Sequence, residues 1–579
     1  MLFRSVIFDN TIRGRGGNII KSGKELIAKL LIKEEVITKE QLADASKEAE
    51  RENETLEKVL ISSGLVSEER ILTLLGSYLG IPYLSLSNYE IDLQVVTKVP
   101  AKFVYGHKLF PLQKKDNVLT IAVRDPLDVG VLEDLRLLLG CRIETVLAKE
   151  EDIMKAIRKY YGIGAETVEK MIQSSEIDLE RLEKRDNNDL EEIAAAPSII
   201  KFVNQLILEA FEDRATDIHI EPFEESLRIR YRIDGFLHKI PLPSTIKQFQ
   251  LAIISRIKIM ADLNIAEKRL PQDGRINLKA GDKEIDLRVA TIPTLFGESV
   301  DIRILPKGEI LLDLKELGFS SQTLEGFLSL IKRPHGIILV TGPTGSGKTT
   351  TLYAALNRIN STERNIITIE DPVEYQLEGI NQIQVKPKIG LTFAKGLRSI
   401  LRQDPDVILV GEIRDLETAE IAIRSALTGH LVFSTLHTNN AAGAVTRLID
   451  MGIEPYLVAS AVEGIIAQRL VRVICPDCKV SSTTEVKALK EIGLSGDEIL
   501  YRGNGCDRCK FTGYRGRTGI YELLMVTEEM KRLILERTLT SAIEENARRL
   551  GMRTLREAGG EKILKGITTL EEIIRVTEE

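Results

Sequence analysis

The segment Gly342-Pro343-Thr344-Gly345-Ser346-Gly347-Lys348-Thr349-Thr350 brings together residue types suited to one kind of chemistry, the holding of a chain of phosphates. Its glycines let the backbone curl until the amides and the start of a following helix point at one anion. In the spacing GxxxxGK[ST], the Lys348 ammonium reaches the β- and γ-phosphates and the Thr349 hydroxyl meets Mg2+. An apolar run at 337–340 predicts a strand directly before this loop, and the residues from 348 onward predict a helix directly after it. That strand–loop–helix setting separates a phosphate loop from a chance match.

Phosphate chemistry needs more than a loop. One acidic group must hold Mg2+ or its waters, and another must orient or deprotonate the attacking water. Such groups are expected at the ends of later parallel strands. The strand predicted at 365–369 is followed by Glu370 and Asp371, and the one at 407–410 by Gly411 and Glu412. Glu412 suits the metal side and Glu370 the water, although spacing leaves these two roles exchangeable. A further strand at 431–436 lies between His430 and His437, and His437, followed by Thr438 and Asn439, is set to sense a γ-phosphate. His430 reads equally well as a structural hydrogen-bonding residue. No third ligand recurs at a spacing that would make the histidines a metal site.

Four of the five cysteines form two pairs, Cys475-x2-Cys478 and Cys506-x2-Cys509. Each Cys-x2-Cys turn offers two thiolates to one tetrahedral ion, and two turns complete a sulfur cage with no open position, so a structural Zn2+ is expected. Gly503 and Gly505 permit the second turn. Cys141 stands alone and reads as a buried structural thiol.

The elements that must position these groups follow from the rest of the chain. At 227–233, Leu227, Ile229, Tyr231 and Ile233 alternate with Arg228, Arg230 and Arg232, the period of a half-buried strand with three cations on one face. Such a face is either solvated or, because three like charges repel, met by an anionic neighbour. Near the start, residues 27–42 repeat at 56–71, pairing Leu31 with Leu60, Ile32 with Ile61, Ile37 with Val66 and Leu42 with Ile71. Each copy reads as a helix, a turn and a second helix opened by Thr38 or Ser67. The boundaries are a tail at 1–20, the helical repeat at 21–90, a small α/β docking domain at 91–163 and a charged linker at 164–195. A second α/β unit spans 196–308, and the nucleotide-binding domain fills 309–579 with the cysteine insertion at 475–509 and helices at its end.

The composition is that of an ordinary soluble chain, 43% apolar and 28% charged, and it carries a net charge of -7, which speaks against nonspecific nucleic-acid binding. No apolar run is long enough to span a bilayer, and the opening residues lack a signal-peptide core, so a cytoplasmic protein carried to membranes by partners is expected.

Four ordered segments, GPTGSGKTTTLY at 342–353, ITIEDPVEY at 367–375, the stretch 391–422 containing DVILVGEIRD, and TGHLVFSTLHTN at 428–439, resemble the secretion ATPase superfamily that drives type II secretion and type IV pilus assembly. They correspond to its Walker A, aspartate-rich, atypical Walker B and histidine boxes. The resemblance implies a RecA-like P-loop core using ATP and Mg2+, with Thr349 and Glu412 on the metal. It also implies a PAS-like α/β ring domain before that core, a homo-hexameric ring, and work on an inner-membrane platform protein. In the ring domain, Asp217, His219 and Glu221 of ATDIHIEP, Arg275 of RLPQDGRI, and Arg288 and Arg303 of DLRVATIPTLFGESVDIRIL match the family. Arg230, Arg275, Arg288 and Arg303 are the arginines expected to reach the nucleotide, within one subunit or across the ring.

The cysteine insertion is similar to that of secretion and pilus-extension members, and GAVTRL at 443–448 is nearer in texture to the type II secretion E-proteins. Pilus extension is the alternative. The N-terminal repeat resembles a module that binds cyclic di-GMP in some relatives through an arginine-leucine-glycine start. Lys29-Leu30-Leu31 and Lys58-Val59-Leu60 stand at those places here, which leaves docking of the cytoplasmic part of an inner-membrane assembly protein as the other use. A scaffold that binds ATP without turnover would be marked by loss of both candidate acids, and both are present.

Overall fold

The computed structural model describes residues 12–13, 19–20, 23–52, 56–86, 89, 91–96, 98–126, 129–161, 167–168, 171, 187–280, 283–306, 313–482 and 499–578. Most of the expected tail at 1–20, the middle of the linker at 164–195, the connection at 307–312 and the centre of the cysteine insertion, 483–498, lie outside these residues. The chain forms two compact units, Met1–Ala280 with Ile285–Leu305, and Gly281–Glu284 with Pro306–Glu579.

In the first unit the repeat folds as Gly23–Lys33 (α1) and Lys39–Glu52 (α2), then Leu56–Ser62 (α3) and Glu68–Leu79 (α4). The expected caps are in place. Thr38 N–H donates to Gln41 Oε1 at 2.9 Å while Gln41 N–H donates to Thr38 Oγ1 at 3.2 Å, a reciprocal capping box, and Arg70 N–H donates to Ser67 Oγ at 3.3 Å. The matched positions Leu31 and Leu60, and Ile37 and Val66, are buried alike. The backbone repeats too, with Glu35 at φ 54° where the second copy has Gly64 at φ 70°. Within the region read as a tail, Ile12–Arg13 (β1) pairs antiparallel with Ile19–Ile20 (β2).

Helices Leu93–Val96 (α5) and Ala101–His107 (α6) lead into Leu109–Lys115 (β3) and Val118–Val123 (β4). After Val129–Leu139 (α7), the strand Arg142–Leu147 (β5) pairs parallel with β4, and Glu150–Tyr161 (α8) closes the layer. Cys141 is buried in this core, as expected of a structural thiol.

The rest of the unit packs Asn187–Ala194 (α9), Pro197–Glu212 (α10) and Gln250–Met260 (α11) with six strands. These are Ala215–Pro222 (β6), Leu227–Ile233 (β7), Phe236–Lys239 (β8), Gln272–Ala280 (β9), Lys283–Thr294 (β10) and Gly297–Pro306 (β11), in the order β8-β7-β6-β11-β10-β9. The alternation read in β7 is realised. Leu227, Ile229 and Tyr231 are buried against the helices, and the arginines between them face away.

The second unit is built on a seven-stranded sheet. Its strands are Gly336–Thr341 (β12), Ile366–Glu370 (β13), Asn381–Gln384 (β14), Val407–Val410 (β15), Leu431–Leu436 (β16), Val462–Ile474 (β17) and, after the short ribbon Lys479–Ser482 (β18) and Leu500–Gly503 (β19), Tyr514–Met525 (β20). The order is β14-β13-β15-β16-β12-β17-β20, parallel throughout except for the antiparallel β17–β20 pair. At their C-terminal ends, β12, β13, β15 and β16 bring the phosphate loop, Glu370, Glu412 and His437. Ser321–Leu330 (α12) and Lys348–Ile359 (α13) cover one face. Phe393–Ile400 (α14), Leu416–Leu427 (α15), Ala441–Asp450 (α16) and Pro455–Ala461 (α17) cover the other.

Sandwiched in this way, β12 and β16 are buried along their whole length, which is why both read as unbroken apolar runs. Glu528–Leu535 (α18), Thr540–Arg549 (α19), Leu555–Leu564 (α20) and Leu570–Thr577 (α21) complete the expected helical end. Glu370 is the last residue of β13 and not the first residue after it, one place from the expected boundary.

Candidate functional site

The loop after β12 depends on backbone conformations that side chains resist. Gly342, Gly345 and Gly347 have φ of 148°, 80° and 86°. Space closes two of these positions as well. A Cβ on Gly342 would lie 2.5 Å from the Gln468 carbonyl oxygen, and one on Gly347 would lie 2.8 Å from Gln468 Nε2. Gly347 is the N-cap of α13 and offers no side-chain cap, so the first-turn amides are left for an anion. Ser346 Oγ is buried without a hydrogen-bond partner, which fits a loop shaped for a phosphate oxygen. Lys348 Nζ donates to the carbonyls of Gly342 and Pro343 at 2.8 and 3.0 Å, held within the loop it serves. Burial pulls its pKa below the usual lysine value, Glu412 opposes the fall and Arg469 adds to it.

Gln468, on β17, is the residue that sequence reasoning missed. It is 1% exposed, its Nε2 donates to Ser346 O at 2.7 Å, and its Oε1 accepts from Thr351 Oγ1 at 2.8 Å. One amide thus ties the loop to the first turn of α13. No local motif announces it, since it meets Ser346 across 122 residues of chain.

The structure brings Glu412 and His437 together, with His437 Nε2 3.3 Å from Glu412 Oε2. Arg414 holds the other oxygen, Oε1, at 2.5 Å. Thr341 and Thr438 bond through their hydroxyls at 2.7 Å, fastening the histidine segment to the end of the loop strand. Glu370 lies deeper, at 4% exposure. Tyr353 Oη, Thr368 Oγ1 and Gln382 Nε2 donate to its carboxylate at 2.5, 2.6 and 3.3 Å. Burial and that carboxylate raise the Tyr353 pKa above the ordinary phenol value. His430 is structural, its Nδ1 2.8 Å from Ser425 O.

The arginine face of β7 finds its anions within the first unit. In register, β6 sets Glu221 opposite Arg228 and Asp217 opposite Arg232. Glu221 accepts from Arg228 Nε at 2.9 Å and takes Arg230 in a fork, at 2.9 and 2.6 Å. Asp217 accepts from Arg303 Nε at 3.0 Å and faces Arg232 at 3.6 Å. The expected anionic neighbour is therefore a pair of carboxylates on the adjacent strand. Arg288 is half-buried on β10 and Arg275 is exposed on β9.

The four cysteines of the two pairs converge, their Sγ atoms all within 4.8 Å of one another. Cys475–Cys506, Cys478–Cys509 and Cys506–Cys509 are separated by 3.7, 3.8 and 3.7 Å. A tetrahedral ion with metal–sulfur bonds of about 2.3 Å sets sulfurs about 3.8 Å apart. The N–H groups of Cys506 and Gly513 donate to Cys509 Sγ at 3.1 and 3.3 Å, favouring a thiolate. The β18–β19 ribbon and the start of β20 supply this frame.

The chain matches the family described as "Type II/IV secretion system protein" over residues 192–575, and the MshEN domain over residues 79–167. It is 42% identical over 557 residues to the type IV pilus assembly ATPase PilB of Myxococcus xanthus, covering 95% of this chain and 98% of that protein. It is 46% identical over 525 residues to the type II secretion system protein E of Xanthomonas campestris, covering 89% of this chain and 92% of that one. Against the type II secretion system ATPase E of Vibrio cholerae it is 53% identical over 395 residues, 68% of this chain and 78% of that protein.

Proposed function

The chain belongs to the type II/IV secretion system ATPase family, and from that premise we propose that it hydrolyses ATP, with Mg2+, in a cytoplasmic homo-hexamer that drives pseudopilus assembly for type II protein secretion. The observation that carries the reading is the convergence of Lys348, Glu412 and His437 at the ends of neighbouring strands. Lys348 and the loop amides hold the phosphates, and Thr349 with Glu412 holds the metal. Glu370 orients the attacking water, and His437 registers the γ-phosphate. Of the four arginines expected to reach the nucleotide, Arg275 and Arg288 supply positive charge to it, while Arg230 and Arg303 are engaged by Glu221 and Asp217.

The higher identities to the E-proteins favour secretion. The near-complete coverage of a pilus assembly ATPase favours the second reading, pilus extension. Zn2+ fills the cysteine cage as a structural ion, a reading supported by the donor set and the sulfur separations. The N-terminal region docks an inner-membrane assembly protein and the ring works on a platform protein. Binding of cyclic di-GMP is the competing assignment for that region, tested by titrating the full chain with it. Glu412→Gln, assayed for Mg-ATP binding and phosphate release, tests the enzyme. Full turnover in that variant would overturn the mechanism. Copurification with a secretion platform rather than a pilus platform decides between the two systems.

A further inference from the structure

Glu522 lies within β20 at 2% exposure, a buried carboxylate used by neither the phosphate loop nor the cysteine cage. Its two oxygens serve two elements. Oε1 accepts from Ala441 N–H at 2.7 Å, and Oε2 from Leu555 N–H at 3.3 Å. Ala441 opens α16 and Leu555 opens α20, so one carboxylate closes two helix N-termini and sits in the favourable field of both. Burying a charge costs far more than burying a leucine of similar size, so packing alone does not account for a glutamate here.

What α16 follows matters more. Asn440, its N-cap, ends the segment that carries His437. Along that segment Thr438 bonds Thr341, Arg469 donates to Asn439 O at 2.8 Å, and Asn440 Nδ2 donates to Glu544 of α19 at 3.2 Å. The C-terminal helices therefore hold the far end of the histidine segment at two points, through Glu522 and through Glu544.

We propose that Glu522 is a positioning residue for hydrolysis: by holding Ala441 against the start of α20 it sets His437 relative to Glu412 and the phosphate loop, and links that segment to the C-terminal helices. The proposal rests on the ATPase reading. A carboxylate accepts both amides, whereas an amide side chain offers one acceptor and turns an N–H donor against the other. Around Glu522 stand Ala441 N–H of α16, Leu555 N–H of α20, Glu544 of α19 and Arg469 of β17. Burial, opposed by the Ala441 amide and reinforced by Glu544, pushes its pKa up to about 7. The two-amide arrangement is then complete only above that pH.

The test uses the full-length chain with Glu522→Gln. We expect kcat to fall by about tenfold to a hundredfold, the penalty of a displaced catalytic group, with KM and Mg-ATP affinity held within about twofold. The wild-type kcat should rise through pH 7, and the variant should lack that inflection. Unchanged kcat with a lowered Tm would make Glu522 purely structural and overturn the proposal. Equal losses of kcat and nucleotide affinity would overturn it as well. Should Glu522→Gln fail to fold, Glu544→Ala on the outer helix carries the test, with reduced kcat at constant KM supporting the link and unchanged kcat refuting it. A wild-type chain that binds Mg-ATP without releasing phosphate would sink the ATPase reading itself, and this proposal with it.

Discussion

Glu412 and Glu370 end adjacent strands of one sheet, yet the fold treats their carboxylates differently. Glu412 meets His437 and Arg414 and partly offsets the burial that lowers the Lys348 pKa, while Glu370 is enclosed by three side-chain donors. Both were legible in the sequence because strand-end acids lie within a few residues of the apolar run that carries them. Their surroundings were not, because Tyr353 and Gln382 come from other elements. Gln468 is the extreme case, and it supports a prediction. Gln468→Ala leaves Ser346 O and Thr351 Oγ1 without their buried partner, a loss of about 1–3 kcal/mol by the usual cost of an unsatisfied group. We expect a lower Tm and a raised KM for ATP. A variant that keeps wild-type KM would show that the loop holds its shape without this clamp. Glu412→Gln should instead leave the chain folded and weaken its hold on Mg2+, with phosphate release dropping to background.

Helices and strands were legible where their signals are local. Thr38 with Gln41 and Ser67 before Glu68 open α2 and α4 as cap chemistry requires. The long β17–β20 pair was not read, since the cysteine insertion separates its strands in the chain and no short hairpin turn joins them. The helical repeat supports a prediction at this scale. Glu35 adopts a left-handed backbone where the second copy has Gly64, a conformation that costs a residue with a Cβ about 1–2 kcal/mol. Glycine recovers that strain and gives back part of it through a looser unfolded chain, so Glu35→Gly should stabilise the chain by about 0.5–1 kcal/mol. An unchanged or lower Tm for the N-terminal transition would count against it. The ribbon supports another. Elemental analysis should find one zinc per chain, lost with Cys478→Ser, and the loss should lower thermal stability more than it lowers kcat, because four sulfurs leave the ion no site for substrate.

Across the whole molecule, the phosphate loop belongs to one compact unit and the candidate arginines to the other. The order of these units along the chain was readable from motif and alternation, but the charge balance of the arginine face was not, because Glu221 and Asp217 reach it from a neighbouring strand. That balance separates the candidates. Arg230 is committed to Glu221 in a fork, and moving it to a phosphate gives up charged hydrogen bonds worth about 1.5–3 kcal/mol each. Arg275, exposed on β9, carries no such fork, so Arg275→Ala should reduce kcat while Arg230→Ala chiefly destabilises its sheet. In a ring the same side chain can serve its own subunit or the next. Glu412→Gln protomers keep Arg275 but hold a dead site, and Arg275→Ala protomers hold a sound site without the arginine. Mixed in equal amounts, they should recover roughly a quarter of wild-type turnover if Arg275 acts across the interface, since half the sound sites then meet an intact neighbour. If it acts within its own subunit, no site in the mixture is complete and turnover stays at the level of the separate variants.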